Sequence, residues 1–447
     1  MNIWQKISPM KLILGGYCTV ILLGTLLLAL PFATKGPGGT AITDCFFTAT
    51  SATCVTGLIR FDTFTHWTLF GQLVILTMIQ IGGVGFMTIA IMAMVFARKR
   101  IGLSQRVIMQ NSVSAPQLGG IVHMTKFIAG GTLLVEGIGA VLLCFAFVPR
   151  FGLVKGIYFS IFHSISAFCN GGFDLMGGTT GEFSSLTGSV GSWYVNIVIM
   201  LLIFVGGLGF FVWHDIGARK GKFKNFNLQT KLVLSISTAL VFGGALVLLL
   251  LEFNSPAMEG LTVSEKICAA LFQSVSARTA GFNTIDLSVM TEAGKFVMIF
   301  LMLIGGSTGS TAGGIKTTTF WVLCLSIFTT FFHRKNVEAF GRRMEENITR
   351  TASCVFMTYL LAISVSSVLI SAVEGIPMIT ALFEAVSAMA TVGLSFGVTP
   401  TVSMFTKLLL AFLMICGRVG SITMLLAFSS EKRVISSRLP LDKVQVG

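Results

Sequence analysis

Ser51-Ala-Thr-Cys-Val-Thr-Gly57-Leu, Ser166-Ala-Phe-Cys-Asn-Gly-Gly172-Phe, Ser276-Ala-Arg-Thr-Ala-Gly281-Phe and Ser387-Ala-Met-Ala-Thr-Val-Gly393-Leu recur at near-equal intervals along the chain. In each, a run of small and hydroxylated residues closes on a glycine, and each run lies between two long apolar segments. A chain that repeats helix, loop, helix four times can surround one axis with four equivalent loops. Backbone carbonyls converging there can replace the hydration shell of a cation. The spacing predicts an all-α integral membrane protein. Its four helix–pore-loop–helix repeats have pseudo-fourfold symmetry around a single pore, giving eight transmembrane helices plus four re-entrant pore half-helices.

Composition agrees. Hydrophobic residues form 54% of the chain and charged residues 11%, against about 25% charged in soluble domains. Several apolar runs exceed the roughly 20 residues that span a bilayer. The first, 12–31, lacks an A-x-A cleavage pattern and reads as a retained helix. The net charge of +13 is placed for orientation, not for nucleic acid. Of the 31 basic residues, 21 lie in the N-terminal segment, in three alternate loops around 98–126, 219–231 and 334–350, and in the tail. The positive-inside rule puts those loops and both termini in the cytoplasm. A basic docking face for a cytosolic partner is compatible with that placement. Nine cysteines without a C-x-x-C pair, and five scattered histidines, predict buried thiols with no disulfide framework and no zinc site.

The repeat divides the chain into a cytoplasmic N-terminus 1–9, repeat one 10–98, a cytoplasmic loop 99–123, repeat two 124–215 and a loop 216–229. Repeat three is 230–332, followed by a loop 333–350, repeat four 351–428 and a cytoplasmic tail 429–447. The inner helices are expected at 66–97, 191–215, 291–332 and 402–428. They share a second signature: Gly82-Gly-Val-Gly85, Gly206-Gly-Leu-Gly209, Gly305-Gly-Ser-Thr-Gly309 and Gly417-Arg-Val-Gly420. It follows the loop glycine by 25, 34, 24 and 24 residues, the second being lengthened by a Gly/Thr/Ser-rich insertion. Close helix packing explains such glycines equally well. Pore segments near 43–56, 157–171, 263–280 and 377–392 are too short to cross the bilayer. Non-helical backbone at that depth is tolerated only where protein buries it or water reaches it. Half-helices aim their negative C-terminal ends at the centre, which favours a cation there. The filter is read as Thr56, Gly57, Gly171, Gly172, Ala280, Gly281, Val392 and Gly393, with a dehydrated cation at Gly57, Gly172, Gly281 and Gly393.

These loops, with Gly305-Gly-Ser-Thr-Gly-Ser-Thr-Ala-Gly-Gly-Ile-Lys316, resemble the Trk/Ktr/HKT superfamily of potassium transporters over essentially the whole chain. Length and the short N-terminus fit the bacterial Ktr membrane subunit (KtrB/KtrD type) better than the longer Trk subunit. The resemblance implies a pore-forming subunit that carries potassium inward, often helped by sodium. It implies a homodimer with one pore per protomer. It also implies a cytosolic ring of regulatory subunits (KtrA/KtrC type) that bind adenine nucleotides. One departure is Gly171, where the family pattern has alanine.

Residues 305–316 carry five glycines in twelve positions. At about 1 kcal/mol each against alanine, they argue against a regular helix. A kinked helix is the alternative. The hydroxyls of Ser307, Thr308, Ser310 and Thr311 suit a water-lined cavity. The stretch Gly305, Gly306, Ser307, Thr308, Gly309, Ser310, Thr311, Ala312, Gly313, Gly314 to Lys316 is therefore expected to be a mobile intramembrane gate, and the family resemblance assigns this loop the same role. Arg418 stands 25 residues after Gly393, the same offset as Gly306 from Gly281. An arginine at that depth faces a cavity or a partner, and it is expected to donate to gate-loop carbonyls.

Asp44 and Glu265 read as acids favoured at helix starts. Glu136 is without a nameable partner, Arg278 is a brace for the third loop, and Asp174, Asn283 and Ser395 ring an outer vestibule. The rival transport readings are a sodium/potassium symporter with alternating access, which would use inverted repeats, and a less selective monovalent cation channel. An enzyme would need convergent acid, base or nucleophile groups, and none is found. No G-x-x-x-x-G-K-[ST] is present, so nucleotide control must come from another polypeptide.

Overall fold

The computed structural model describes residues 9–36, 38–85, 87–89, 92, 94, 102, 106–108, 110, 119–334, 336–345 and 347–420. The expected N-terminus 1–8, most of the loop 99–118, the far end of the last inner helix and the tail 429–447 lie outside the described residues.

Among the described residues, four helices are long and apolar enough to cross a membrane: α1 (Pro9–Leu28), α4 (Ile121–Phe151), α8 (Leu228–Glu252) and α12 (Asn347–Glu374). Each is followed by a shorter helix: α2 (Ile42–Thr53), α5 (Leu153–Phe168), α9 (Val263–Ser276) and α13 (Met378–Met389). A 12-residue helix such as α2 is about 18 Å long, well short of the roughly 30 Å hydrocarbon core. After a loop come α3 (Leu69–Val84), α6 (Trp193–Leu208), α10 (Glu292–Leu303) and α14 (Met404–Val419). Two further helices, α7 (Phe210–Ala218) and α11 (Thr317–Phe331), continue the second and third of these. A two-stranded hairpin, β1 (Glu338–Ala339) with β2 (Arg342–Arg343), precedes α12.

Packing follows the repeat. Each long helix packs most extensively on the short helix after it: α1 on α2, α4 on α5, α8 on α9, α12 on α13. The third helix of each unit then reaches the next unit's short helix: α3 touches α5, α6 touches α9, α10 touches α13, and α14 returns to α2. The last contact joins the end of the described chain to its beginning and closes the circle. Leu22, Leu26, Leu133, Phe145, Leu250 and Leu361 remain exposed on the long helices, as lipid-facing surface requires.

Caps fix where the inner helices begin. Thr68, Thr291 and Ser403 accept from the amides of Gly71, Gly294 and Thr406. The last residues of the long helices hold two of these caps. Glu252 accepts from Thr291 N at 3.1 Å, and Glu374 accepts from Ser403 Oγ at 2.6 Å.

The inner segments differ from the continuous helices expected over 66–97, 191–215 and 402–428. They stop at Gly85, Gly209 and Gly420, whose φ values of 88°, 91° and 93° no helix can contain. At Gly209 the chain turns 91° between α6 and α7. The first glycines of the signature do the packing. A methyl at Gly82, Gly206 or Gly417 would lie 2.0 Å from the carbonyl oxygen of Thr53, Phe168 or Met389, the last residues of α2, α5 and α13. Among the described cysteines, five are buried, but Cys18 and Cys354 are exposed on the long helices.

Candidate functional site

Each loop leaves its short helix by a backbone turn closed on the motif serine, over five residues in three loops and four in the third. Thr56 N donates to Ser51 O at 2.8 Å, Gly171 N to Ser166 O at 2.7 Å, Ala280 N to Ser276 O at 2.9 Å and Val392 N to Ser387 O at 2.8 Å. Two residues before each glycine, the chain enters the left-handed region: Val55 (φ 56°), Asn170 (60°), Thr279 (73°) and Thr391 (51°). Three of these are β-branched, for which that conformation is a genuine outlier. Strain of this kind persists where the surroundings over-determine it, and it concentrates at functional sites. The sequence reading missed this quartet, because nothing in a valine or threonine announces positive φ. The serine that opens each motif supplies part of the restraint. Ser51 and Ser387 Oγ accept from Gly57 N and Gly393 N at 3.1 Å each. Ser166 Oγ donates to Phe173 O at 2.7 Å, and Ser276 Oγ donates to Phe282 O.

The four glycines face one another. A methyl at Gly57 would lie 2.7 Å from Gly171 O, at Gly172 2.9 Å from Ala280 O, at Gly281 2.6 Å from Val392 O, and at Gly393 2.2 Å from Thr56 O. Each loop thus abuts the next, and the fourth abuts the first. All eight residues read as the filter come together in this ring. The atoms nearest each of the four glycines are backbone atoms of the adjoining loops. Outside the ring lies a cavity of about 360 Å³, lined by the four glycines with Asp174, Asn283, Asp286 and Ser395 among others. Burial pushes the Asp174 carboxyl up to about 7, and the nearby Asp62 charge adds to the rise. Behind Ser395 stands Glu384, which accepts from Ser395 Oγ at 2.5 Å and Thr399 Oγ1 at 2.8 Å.

On the other side of the ring, residues 305–316 form an irregular segment between α10 and α11. Gly305 N donates to Ile315 O at 3.0 Å, so the segment leaves and returns at one place. Its interior takes up the carbonyls freed where α6 breaks. Ser307 N donates to Gly207 O at 3.0 Å, Thr311 N to Gly206 O at 3.4 Å, and Ser307 Oγ to Leu208 O. Thr311 Oγ1 donates to Phe168 O at 3.2 Å. The expectation that these hydroxyls line water is corrected for Ser307 and Thr311, which are fully buried against backbone. The break at Gly209 creates acceptors that outcompete solvent. Gly313 lies against Thr391 and Ala390 O of the fourth loop. Lys316 Nζ turns back onto Ala312 O at 2.7 Å. Arg418 donates to Thr311 O, to Gly82 O, and to Gly83 O at 3.3 Å, and so ties the segment to the end of α3.

A protein-family model described as TrkH, cation transport protein, matches residues 23–436. The chain belongs to this family. It is therefore a membrane transporter and not an enzyme. It is 38% identical to the potassium/sodium uptake protein NtpJ of Enterococcus hirae, over 99% of this chain and 98% of the relative. It is 36% identical to the Ktr system potassium uptake protein B of Bacillus subtilis, over 96% of this chain and 95% of the relative. The crystal structure of the potassium transporter TrkH from Vibrio parahaemolyticus superposes with a TM-score of 0.73, covering 93% of this chain and 85% of that one at 20% identity, a likeness of fold.

The remaining charges of this TrkH-family chain fall into place around the ring. Glu265 closes a capping box with Thr262 at the start of α9. Asp44 is in the first turn of α2, yet Ala41 is the cap, and the carboxylate pairs with Lys407 of α14 at 2.6 Å and Arg60 at 3.7 Å. Glu136 accepts from Gln80 Nε2 at 3.0 Å and lies 3.6 Å from Cys169 Sγ, a grouping that no sequence pattern announces. Arg278 donates to Ser237 O at 3.2 Å and Ser237 Oγ at 3.1 Å on α8.

Proposed function

We propose that the chain is the ion-translocating subunit of a potassium uptake system, with four repeats disposed with pseudo-fourfold symmetry about one pore. In this reading eight transmembrane segments carry four re-entrant half-helices. Potassium passes at the level of Gly57, Gly172, Gly281 and Gly393, coordinated by carbonyls of those glycines and of Thr56, Gly171, Ala280 and Val392. The observation that carries the reading is the closed ring of left-handed loops, which leaves no room for a methyl group at its centre. Carbonyls so restrained exchange for a hydration shell without the chain having to reorganise. The acidic vestibule supports a cation over an anion. The names of the relatives, potassium uptake proteins, support potassium as the ion.

The segment 305–316 with Lys316 and Arg418 acts as the gate. It occupies the path below the ring and is held by bonds that break without unfolding a helix, and two cations beside it raise a barrier to a third. Sodium takes part as a helper ion, a reading favoured by the potassium/sodium name of the E. hirae relative. The subunit works as a homodimer in a bacterial plasma membrane with both termini cytoplasmic. A cytosolic nucleotide-binding ring controls it, and adenine nucleotide acts only through that ring. The name of the B. subtilis relative, a component of a Ktr system, supports a multi-subunit assembly. A cavity of about 560 Å³ lined by Lys220, Lys222, Lys224 and Arg342 offers an acidic partner a docking face.

Rubidium-86 uptake into liposomes containing the purified chain tests this, with sodium, potassium and ammonium as competitors. Saturable flux that potassium displaces better than sodium is expected. Folded protein that stays silent, both alone and as the Arg418→Gln variant, would refute the pore.

A further inference from the structure

Arg278 puts a positive charge where a cation pathway has least use for one. It lies two residues past the end of α9 and is 7% exposed. Its two Nη atoms donate to Ser237, whereas Nε is buried with no protein acceptor. Among the described residues, no carboxylate forms an ion pair with it. A buried charge without a counter-charge is expensive, so the Ser237 contact alone is a poor reason for its presence.

Three observations converge on the same corner. First, the third motif is one residue shorter than the others, and Arg278 takes the place held by Thr53, Phe168 and Met389. In those three units the carbonyl at that place packs against the inner-helix glycine, Gly82, Gly206 or Gly417. In the third unit Gly305 packs instead on Gly313 O, within the gate segment. The packing of the short-helix end on the inner-helix glycine, seen in the other three units, is replaced there by packing within the gate segment. Second, a cavity of about 10 Å³ fills the gap, lined by Arg278, Val275, Val241, Ile203, Gly207 and Gly306. Roughly that volume holds one water, which needs two to four polar partners. Arg278, which lines the cavity, brings an Nε–H without a protein acceptor. The backbone of Gly207 and Gly306 supplies others, since a carbonyl that already accepts, as Gly207 O does from Ser307 N, keeps a second lone pair. Third, Thr279, next to Arg278, accepts from Asn170 Nδ2 at 3.2 Å, so loops two and three are joined at this point.

We propose that Arg278 is a positioning residue that, through a water held in this cavity, fastens the gate segment at Gly306–Ser307 to the third pore loop. Gate and filter are then coupled on that side of the pore, and Ser237 holds the guanidinium in line. The proposal rests on the pore-and-gate reading above.

Hydrogen–deuterium exchange of the gate segment tests the coupling without requiring conduction. The full chain in lipid nanodiscs is compared with Arg278→Lys and Ser237→Ala. Exchange of the 305–316 amides is expected to rise roughly tenfold in Arg278→Lys and less in Ser237→Ala. Partner-free rubidium flux should rise several-fold while the potassium-over-sodium preference holds. A changed ion preference with unchanged gate exchange would overturn the proposal and leave Arg278 a brace of the filter alone. Unchanged exchange and flux in folded variants would overturn it too. If Arg278→Lys does not fold, Ser237→Ala alone decides. Silence of both the wild type and Arg418→Gln would count against the pore reading, while the exchange data would still judge the coupling.

Discussion

Alanine at each of the four ring glycines should produce a graded series whose order the geometry sets. Gly393 is the most confined: a methyl there would lie 2.2 Å from Thr56 O and 2.9 Å from Gly57 Cα, at φ 93°. Bringing that oxygen out to 3.0 Å moves a pore carbonyl by about 0.8 Å. Gly281 and Gly57 follow, with contacts at 2.6 and 2.7 Å and φ values of 83° and 94°. Gly172 is mildest, at 2.9 Å, and its φ of 68° falls where an alanine can sit. A residue forced into a sparsely populated conformation costs roughly 1–3 kcal/mol. Spent on the carbonyls of the proposed filter, that amounts to about 5- to 150-fold in relative affinity. The assay is competition of sodium and potassium against rubidium uptake, with thermal melting to confirm folding. The expected loss of potassium preference runs Gly393→Ala, then Gly281→Ala and Gly57→Ala, then Gly172→Ala. A Gly172→Ala variant as damaged as Gly393→Ala, or a folded Gly393→Ala variant with unaltered preference, would refute the carbonyl ring.

Three further outcomes follow from the contacts. Arg418→Gln removes charged donors from Thr311 O and Gly82 O, so partner-free flux should rise and regulation weaken; unchanged flux together with an unchanged response to the partner would count against the gate. Lys407→Met leaves Asp44, 8% exposed, with only the longer Arg60 contact. It should destabilise by about 3 kcal/mol, whereas Lys407→Met with Asp44→Asn recovers part of the loss, and additive melting losses would show that the pair is not coupled. Asp174 should make uptake pH-dependent. As external pH falls through about 7 its carboxyl takes up a proton and the vestibule loses negative charge, so apparent potassium affinity drops, and Asp174→Asn flattens the profile. Because the folded value lies above the unfolded value of about 4, the same group lowers stability as pH rises from about 4 to about 7. A wild-type profile that survives in Asp174→Asn would assign the titration elsewhere.

The sequence by itself determined the membrane class and marked the four glycines that the structure brings face to face. Apolar run length is a local property, and a glycine at a fixed place in four aligned motifs marks a demand of the backbone that no side chain can meet. It also indicated that 305–316 is not a regular helix, because glycine propensity acts through neighbouring dihedrals. Tertiary structure alone decided the rest. The breaks at Gly85, Gly209 and Gly420 sit in segments that read as continuous apolar helices, and at Gly209 the turn is packed against Ser307, Thr308 and Gly309 of the third unit. The left-handed Val55, Thr279 and Thr391 are invisible to propensity, since β-branched residues take that conformation only when surroundings impose it. Lys407 beside Asp44, Gln80 beside Glu136, and the Thr311 and Gly82 carbonyls that Arg418 reaches all come from other units. Asp44 and Lys407 lie 363 residues apart, and only closing the circle, α14 onto α2, brings them within reach.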